Sequence, residues 1–210
     1  MAVFQKPIVM LDFETTGLSP AMGDRITEVA ALRIVEGKIV ERFVSLVNCE
    51  VAIPSFITHL TGISQAMVDS APPVAVVIPE LLRFIGSDAL AAHNASFDAK
   101  FLLAESARLD LQPGYGALIC SLKLSRRVFP GMSSYKLGAL ATALQISFHG
   151  TAHRAEADAE VSAHLLLHIA RRLAQTCSVP SIHPDLLVSL NQLTAAKVPA
   201  FLARQLTKHA

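Results

Sequence analysis

The chain opens with short runs of continuous apolar residues and then passes into stretches with helical periodicity. Residues 7–13 (PIVMLDF) hold Ile8, Val9, Met10 and Leu11 in unbroken succession, which predicts a strand buried on both faces. Gly, Ser and Pro mark 17–23 as a loop. Residues 25–35 are rich in β-branched side chains and predict a second strand. Glu36-Gly37 supplies a tight turn, and 39–47 predicts a third strand paired with the second as a hairpin. The segment ITHLTGIS falls in two short helical turns within 54–68, and 74–85 is apolar at helical spacing. A short buried strand is expected at 89–92. It leads into a helix at 96–108, on which Phe97, Phe101 and Leu102 share a face. A last strand is expected at 117–120, with helices at 121–128, 135–144 and 155–173. Three strands with a hairpin, then alternating helices and short strands, predict an α/β fold: a mixed sheet with helices on both sides.

Residues 180–210 differ in character. His183-Pro184 and Val198-Pro199 punctuate two short helical stretches, LLVSLNQL and AFLARQL. Their apolar residues argue against a disordered tail and for a packed or partner-binding extension. The expected organisation is one domain over 1–175 and a helical C-terminal extension over 176–210.

Composition narrows the function classes. The chain has 210 residues, 52% of them apolar, enough for a full core. A formal net charge of +1 argues against wide, non-specific wrapping of duplex nucleic acid, but not against gripping one strand end. Cys49, Cys120 and Cys177 lie far apart and form no CxxC or zinc spacing, as expected of free thiols in a reducing cytosol. The N-terminus lacks a secretory pattern, and no run is long and apolar enough to span a membrane. The expectation is a cytoplasmic protein with no membrane partner.

Only 17% of residues are charged, and four acids stand out against that background. Asp12 and Glu14 lie in DFETTGL, Asp98 in HNASFD and Asp158 in HRAEAD, each at the predicted start or end of a strand or helix. Residues two apart in a strand point to one side, so Asp12 and Glu14 project together. Two carboxylates so placed can hold a hard cation through oxygen, although an exposed acidic strand end is the plain alternative. Asn94 or Ser96 can cap the helix that carries Asp98 in its first turn, where the helix dipole favours negative charge. His153 falls in the loop around Gly150, five residues before Asp158. An imidazole there suits a general base that takes a proton from metal-bound water; a surface histidine, one of eight in the chain, is the alternative. Gathered together, the four acids would repel one another unless divalent cations offset their charge, and a metal pair is a standard means of attacking a phosphodiester.

The order DxE, then D, then HxxxxD resembles the three exonuclease motifs of the DEDD exonucleases, in the DEDDh branch. The likeness is to DnaQ-like proteins, the group that includes the epsilon proofreading subunit of bacterial DNA polymerase III. It covers roughly 8–170, and ITHLTGIS and SRRVFPGMSSYKLGALA also look like this family's intervening segments. The resemblance implies a ribonuclease H-like fold, a five-stranded mixed sheet flanked by helices. It implies two divalent cations, Mg²⁺ or Mn²⁺. Asp12, Glu14 and Asp158 would hold the first, Asp12 would bridge to the second, Asp98 would support the second, and His153 would activate water. Nucleoside 5′-monophosphates would leave from the 3′ end. By the same resemblance, Thr15, Thr16, Gly17 and Leu18 line the terminal-nucleotide pocket, with Leu60, Thr61, His93 and Phe97 as further contacts. For His93, a bond to backbone at a strand end is the competing reading, and Glu28 reads as a hydrogen-bonded structural acid. The implied partner is a single-stranded nucleic-acid 3′ end, with a DNA polymerase subunit as a second candidate.

Two departures stand out. Cys120-Ser121 replaces an Asp-Thr pair that many relatives carry, and the C-terminal extension shows no glutamine-led, aromatic-ended clamp-binding peptide. The expected activity is a two-metal 3′–5′ exonuclease on single-stranded DNA ends. The alternatives are an exoribonuclease or a binding module on the same fold. No GxGxxG, GxxxxGK[ST] or GxSxG motif supports a nucleotide-cofactor enzyme or a serine hydrolase.

Overall fold

A computed structural model describes residues 3–147 and 151–207. Five strands form one sheet among the described residues: β1 (Ile8–Thr15), β2 (Ile26–Val35), β3 (Lys38–Leu46), β4 (Ala89–Ala92) and β5 (Ala117–Cys120). Their spatial order is β3-β2-β1-β4-β5. The β1–β2 and β2–β3 pairs are antiparallel, whereas β4 lies parallel to β1 and β5 parallel to β4. Between β3 and β4 run α1 (Ser55–Thr61), α2 (Gln65–Asp69) and α3 (Val74–Ile85). Helix α4 (Ala95–Ala107) joins β4 to β5, and α5 (Ser121–Val128), α6 (Leu137–Ala143) and α7 (Ala155–Cys177) follow. Helices α8 (Pro184–Gln192) and α9 (Val198–Thr207) complete the described chain. This mixed sheet flanked by helices is the ribonuclease H-like arrangement expected from the sequence.

Strand β1 is central and covered on both faces, which explains its unbroken apolar run. Ile8 and Met10 pack in a cluster with Leu165, Leu166 and Ile169 of α7. Val9, Leu11 and Phe13 face the opposite cluster, with Val77 and Leu81 of α3 and Phe101 of α4. The alternation that sends Met10 toward α7 sends Asp12 and Glu14 the same way. Strand β4 pairs with β1 only from Ile8 to Met10. Beyond Met10, β1 therefore continues with its β4-facing edge unpaired, and Asp12 and Glu14 lie on that stretch.

The C-terminal segment belongs to the same core. Helix α7 runs unbroken through residue 175, where the extension was expected to begin. Ile182, Leu187 and Leu190 are buried in the α7-side cluster, and Ile182 forms a parallel bridge with Phe4. The Asn191 amide accepts from Cys120 N–H at 2.7 Å and donates to Cys120 C=O at 3.1 Å. It so covers part of the exposed edge of β5, a natural template for unwanted pairing. Among the described residues, no helix is long and apolar enough to cross a membrane.

Candidate active site

Strand β1 delivers two carboxylates to one side, and the first turn of α7 delivers a third. Oxygens of Asp12, Glu14 and Asp158 all lie within 4.8 Å of one another. Oxygen ligands on opposite sides of a hard cation stand about 4 to 5 Å apart, so these three carboxylates are near enough to share one. Asp98 enters from α4. Its side chain is only 3% exposed, and Oδ1 accepts from the Phe13 N–H at 3.2 Å. That N–H belongs to the edge of β1 that β4 leaves unpaired, so the Asp98 carboxylate replaces the missing strand partner.

The electrostatics are those of crowded, buried acids. Burial and then the charges of Asp98, Glu14, Asp158 and Glu28 push Asp12 well above the usual carboxylate range. Glu14 is pushed up to about 8 by burial, then by Asp158 and Glu28, with Arg154 pulling it down. Burial alone lifts Asp98 to about 8, against the Phe13 N–H that favours its anion. Asp158 is also raised by burial, partly countered by the His153 N–H and the His153 side chain. A bound divalent cation would reverse these shifts.

His153 is exposed and left-handed at φ 61°, and its N–H donates to Asp158 Oδ2 at 3.1 Å. It borders a groove of about 900 Å³ with Asp158, His93, Arg126, Tyr135 and Lys136. Gly150, around which the sequence placed this loop, lies outside the described residues. Glu28 is hydrogen-bonded, as its mid-strand position suggested. It forms an ion pair with Arg154 (Nη2–Oε1 2.6 Å), and its Oε2 accepts from Ala155 N–H at 2.9 Å.

The residues expected to line the nucleotide pocket divide into outward and inward groups. Leu18 is 77% exposed and Leu60 half exposed. Thr15 and Thr16 are buried, and their hydroxyls are committed locally. Thr15 Oγ1 donates to Gly17 C=O at 2.6 Å, while Thr16 Oγ1 accepts from Arg25 N–H at 3.0 Å. Thr61 is buried too, its hydroxyl donating to Ile57 C=O within α1. These three shape the turns from within. At Gly17 an added Cβ would meet the Asp24 carboxylate at 2.4 Å, so a larger residue there would displace the Asp24 side chain from the Ser19 N–H it accepts. His93 bonds through Nδ1 to Ser121 Oγ at 3.0 Å and through Nε2 to Tyr135 C=O at 3.2 Å. Both ring nitrogens are thereby engaged, and burial lowers its pKa. Phe97 packs on Phe101 with ring centroids 5.1 Å apart, and the Lys100 ammonium lies over its ring at 4.8 Å.

Neither Asn94 nor Ser96 caps α4 in the way expected. Asn94 occupies the cap position in the left-handed region, φ 72°, and makes no side-chain capping bond. Three supporting residues had no individual sequence signal. Arg25 pairs with Glu105 at 2.7 Å, both buried, tying the turn after β1 to α4. Lys100 donates to the Leu18 C=O, and Arg154 holds Glu28. Each pairing spans 80 residues or more, beyond any local pattern.

Known proteins resemble this chain in sequence and in fold. The sequence profile of the exonuclease family (RNase_T) matches residues 9–166. The chain is 40% identical over 167 residues to the 3′-5′ exonuclease DinG of Bacillus subtilis, covering 80% of this chain and 18% of that protein. It is 36% identical over 174 residues to the PolC-type DNA polymerase III of Caldanaerobacter subterraneus, covering 83% of this chain and 12% of the polymerase. The chain thus spans under a fifth of the length of these two curated relatives. In the solved structure of exonuclease X in complex with 5′-overhanging duplex DNA, the TM-score is 0.69 at 28% identity. That match covers 88% of this chain and 99% of the other.

Proposed function

The chain belongs to the exonuclease family, and from that membership we propose that it is a metal-dependent 3′–5′ exonuclease acting on single-stranded DNA ends, releasing nucleoside 5′-monophosphates. The observation that carries the reading is the gathering of Asp12, Glu14 and Asp158 within one ion's reach, with His153 bonded to Asp158 and Asp98 close by. The family uses divalent metals, and the donor set here is all carboxylate, which suits Mg²⁺ or Mn²⁺.

In this reading Asp12, Glu14 and Asp158 would hold one cation, and Asp12 and Asp98 would help to hold a second. Two bound cations would supply the positive charge that stabilises the attacking and leaving oxygens of an in-line displacement. His153 takes a proton from the attacking water. The new P–O bond forms as the bond to the penultimate 3′ oxygen breaks, and that oxygen takes a proton from solvent water to leave a 3′-hydroxyl on the shortened strand. Leu18 and Leu60, the exposed apolar residues of the turn after β1 and of α1, face the terminal base, and Phe97 backs the pocket. Thr15, Thr16, Gly17 and Thr61 hold the pocket's turns in shape, and His93 braces the groove beside it. DNA is favoured over RNA by the duplex DNA bound to exonuclease X and by the polymerase identity of the PolC-type relative. That relative also makes a polymerase subunit a candidate partner. The nucleic-acid-processing relatives favour a location inside the cell.

The test is a 5′-labelled oligonucleotide incubated with Mg²⁺ or Mn²⁺. A ladder shortened from the 3′ end, absent in Asp12→Ala, is expected. Undiminished trimming in excess chelator contradicts the metal mechanism. Matched single-stranded DNA, single-stranded RNA and mismatched primer-template in the same assay separate the DNA reading from the exoribonuclease one.

A further inference from the structure

Helix α7 begins without a local side-chain cap: Arg154, at the cap position, makes no such bond. The cap comes instead from β2, through Glu28. Its Oε2 accepts the Ala155 N–H at 2.9 Å, the first free donor of the helix. Both carboxylate oxygens also take the Arg154 guanidinium, at 3.0 and 3.2 Å from Nε and 2.6 Å from Nη2. The Glu28 side chain is 4% exposed and that of Arg154 37%. Glu28 lies directly across from Glu14 in the β1–β2 pair. Like charges facing each other across an antiparallel pair destabilise a sheet, so a glutamate at this position calls for a cation on it. A bidentate guanidinium is the strongest such partner.

The residue before Arg154 is His153. A non-glycine residue at φ 61° holds that conformation only where its surroundings over-determine it. His153 is held on both sides. Its own N–H is on Asp158, and the next side chain is on Glu28. Thr151 and Ala152, which lead into it, are exposed and bring no buried anchor.

We propose that Glu28 and Arg154 form a positioning clamp that seats His153 against the carboxylate cluster. The inference rests on the reading of His153 as the general base. The two residues act through His153 and touch no reacting atom. Release of the clamp lets the backbone at 153 relax and carries the imidazole away from Asp158, and a shift of about 1 Å in a catalytic group lowers turnover by about 100-fold.

Steady-state kinetics on a 5′-labelled oligonucleotide at saturating Mn²⁺ tests the clamp. Arg154→Ala should lower kcat by about 10- to 100-fold while KM stays within about 3-fold. Arg154→Lys, which keeps the charge but loses the fork, should fall between the two. In a His153→Ala background the same change should cause no further loss, because residues acting as one unit are non-additive. Losses that multiply in the double variant overturn the proposal. Hydrogen exchange of 151–158 gives a readout without catalysis. Glu28→Gln and Arg154→Ala should both speed it by about 10-fold, with the rest of α7 unchanged. Exchange that stays at the wild-type rate overturns the clamp. If exchange speeds while the wild-type protein leaves nucleic acid intact, the general-base reading fails separately from the anchoring.

Discussion

Helices α4 and α7 both follow a non-glycine residue in the left-handed region, Asn94 at φ 72° and His153 at φ 61°, and both carry an aspartate in the first turn. Their anchors differ. Asp98 is fully enclosed and bonded to the β1 backbone at Phe13. Asp158 is half-buried and bonded to the N–H of its own approach loop. That loop is tied to the sheet through the Glu28–Arg154 pair. One acid is therefore positioned by the sheet, and the other shares its anchor with His153, the proposed general base. A carboxylate that only has to hold charge would suit a rigid wall. An imidazole that has to take and release a proton would suit an exposed loop held at its backbone on both sides.

The largest effect expected is at Asp12, which both halves of the site share. Asp12→Asn should lower cleavage by at least about 10³-fold, because several kcal/mol of transition-state charge stabilisation depend on held metal. The same variant should lose most of the melting-temperature rise that Mn²⁺ gives the wild type by mass action. An equal rise in both proteins would place the ion elsewhere. Next, Asp98→Asn keeps an oxygen that can accept the Phe13 N–H, so the fold should persist while kcat drops by about 10²-fold or more. A collapse of the melting temperature instead would make Asp98 a structural residue and end the contrast.

A smaller effect lies in the pH dependence of stability. Glu14 and Asp98 are pushed up to about 8 in the folded protein and titrate as ordinary carboxylates, near about 4, when unfolded. The folded state therefore binds more protons between those values. Its advantage is complete below about pH 4 and is lost as pH rises through about 8. Metal-free protein should melt lower at about pH 9 than at about pH 6, and saturating Mg²⁺ should narrow the gap. A melting curve that ignores both pH and Mg²⁺ would contradict the crowded-acid picture. Smallest of all, Leu18→Ala removes an exposed side chain, so melting should hold while KM rises by about 3- to 10-fold.

Much of this site could be read along the chain because each part is local. The period of two in DFE puts Asp12 and Glu14 on one face, and helix starts place Asp98 and Asp158. The sheet likewise follows from the apolar runs and the Glu36-Gly37 turn. What the sequence could not show depends on where distant segments meet. Glu28 and Arg154 are 126 residues apart, and no periodicity connects them. Thr15, Thr16 and Thr61 come to the nucleotide pocket only by family resemblance, and the sequence could not show that their hydroxyls bond backbone groups. Nor could it choose between packing and partner binding for the helical extension over 176–210: α7 continues to Cys177, and Ile182, Leu187 and Leu190 fill the same core.

A crystal structure with Mn²⁺ and a nucleoside 5′-monophosphate, read by anomalous scattering, tests the central claim most directly. The account predicts one manganese among Asp12, Glu14 and Asp158 and a second between Asp12 and Asp98, with the phosphate across both. Manganese absent from these carboxylates, or held only by other residues, would contradict it.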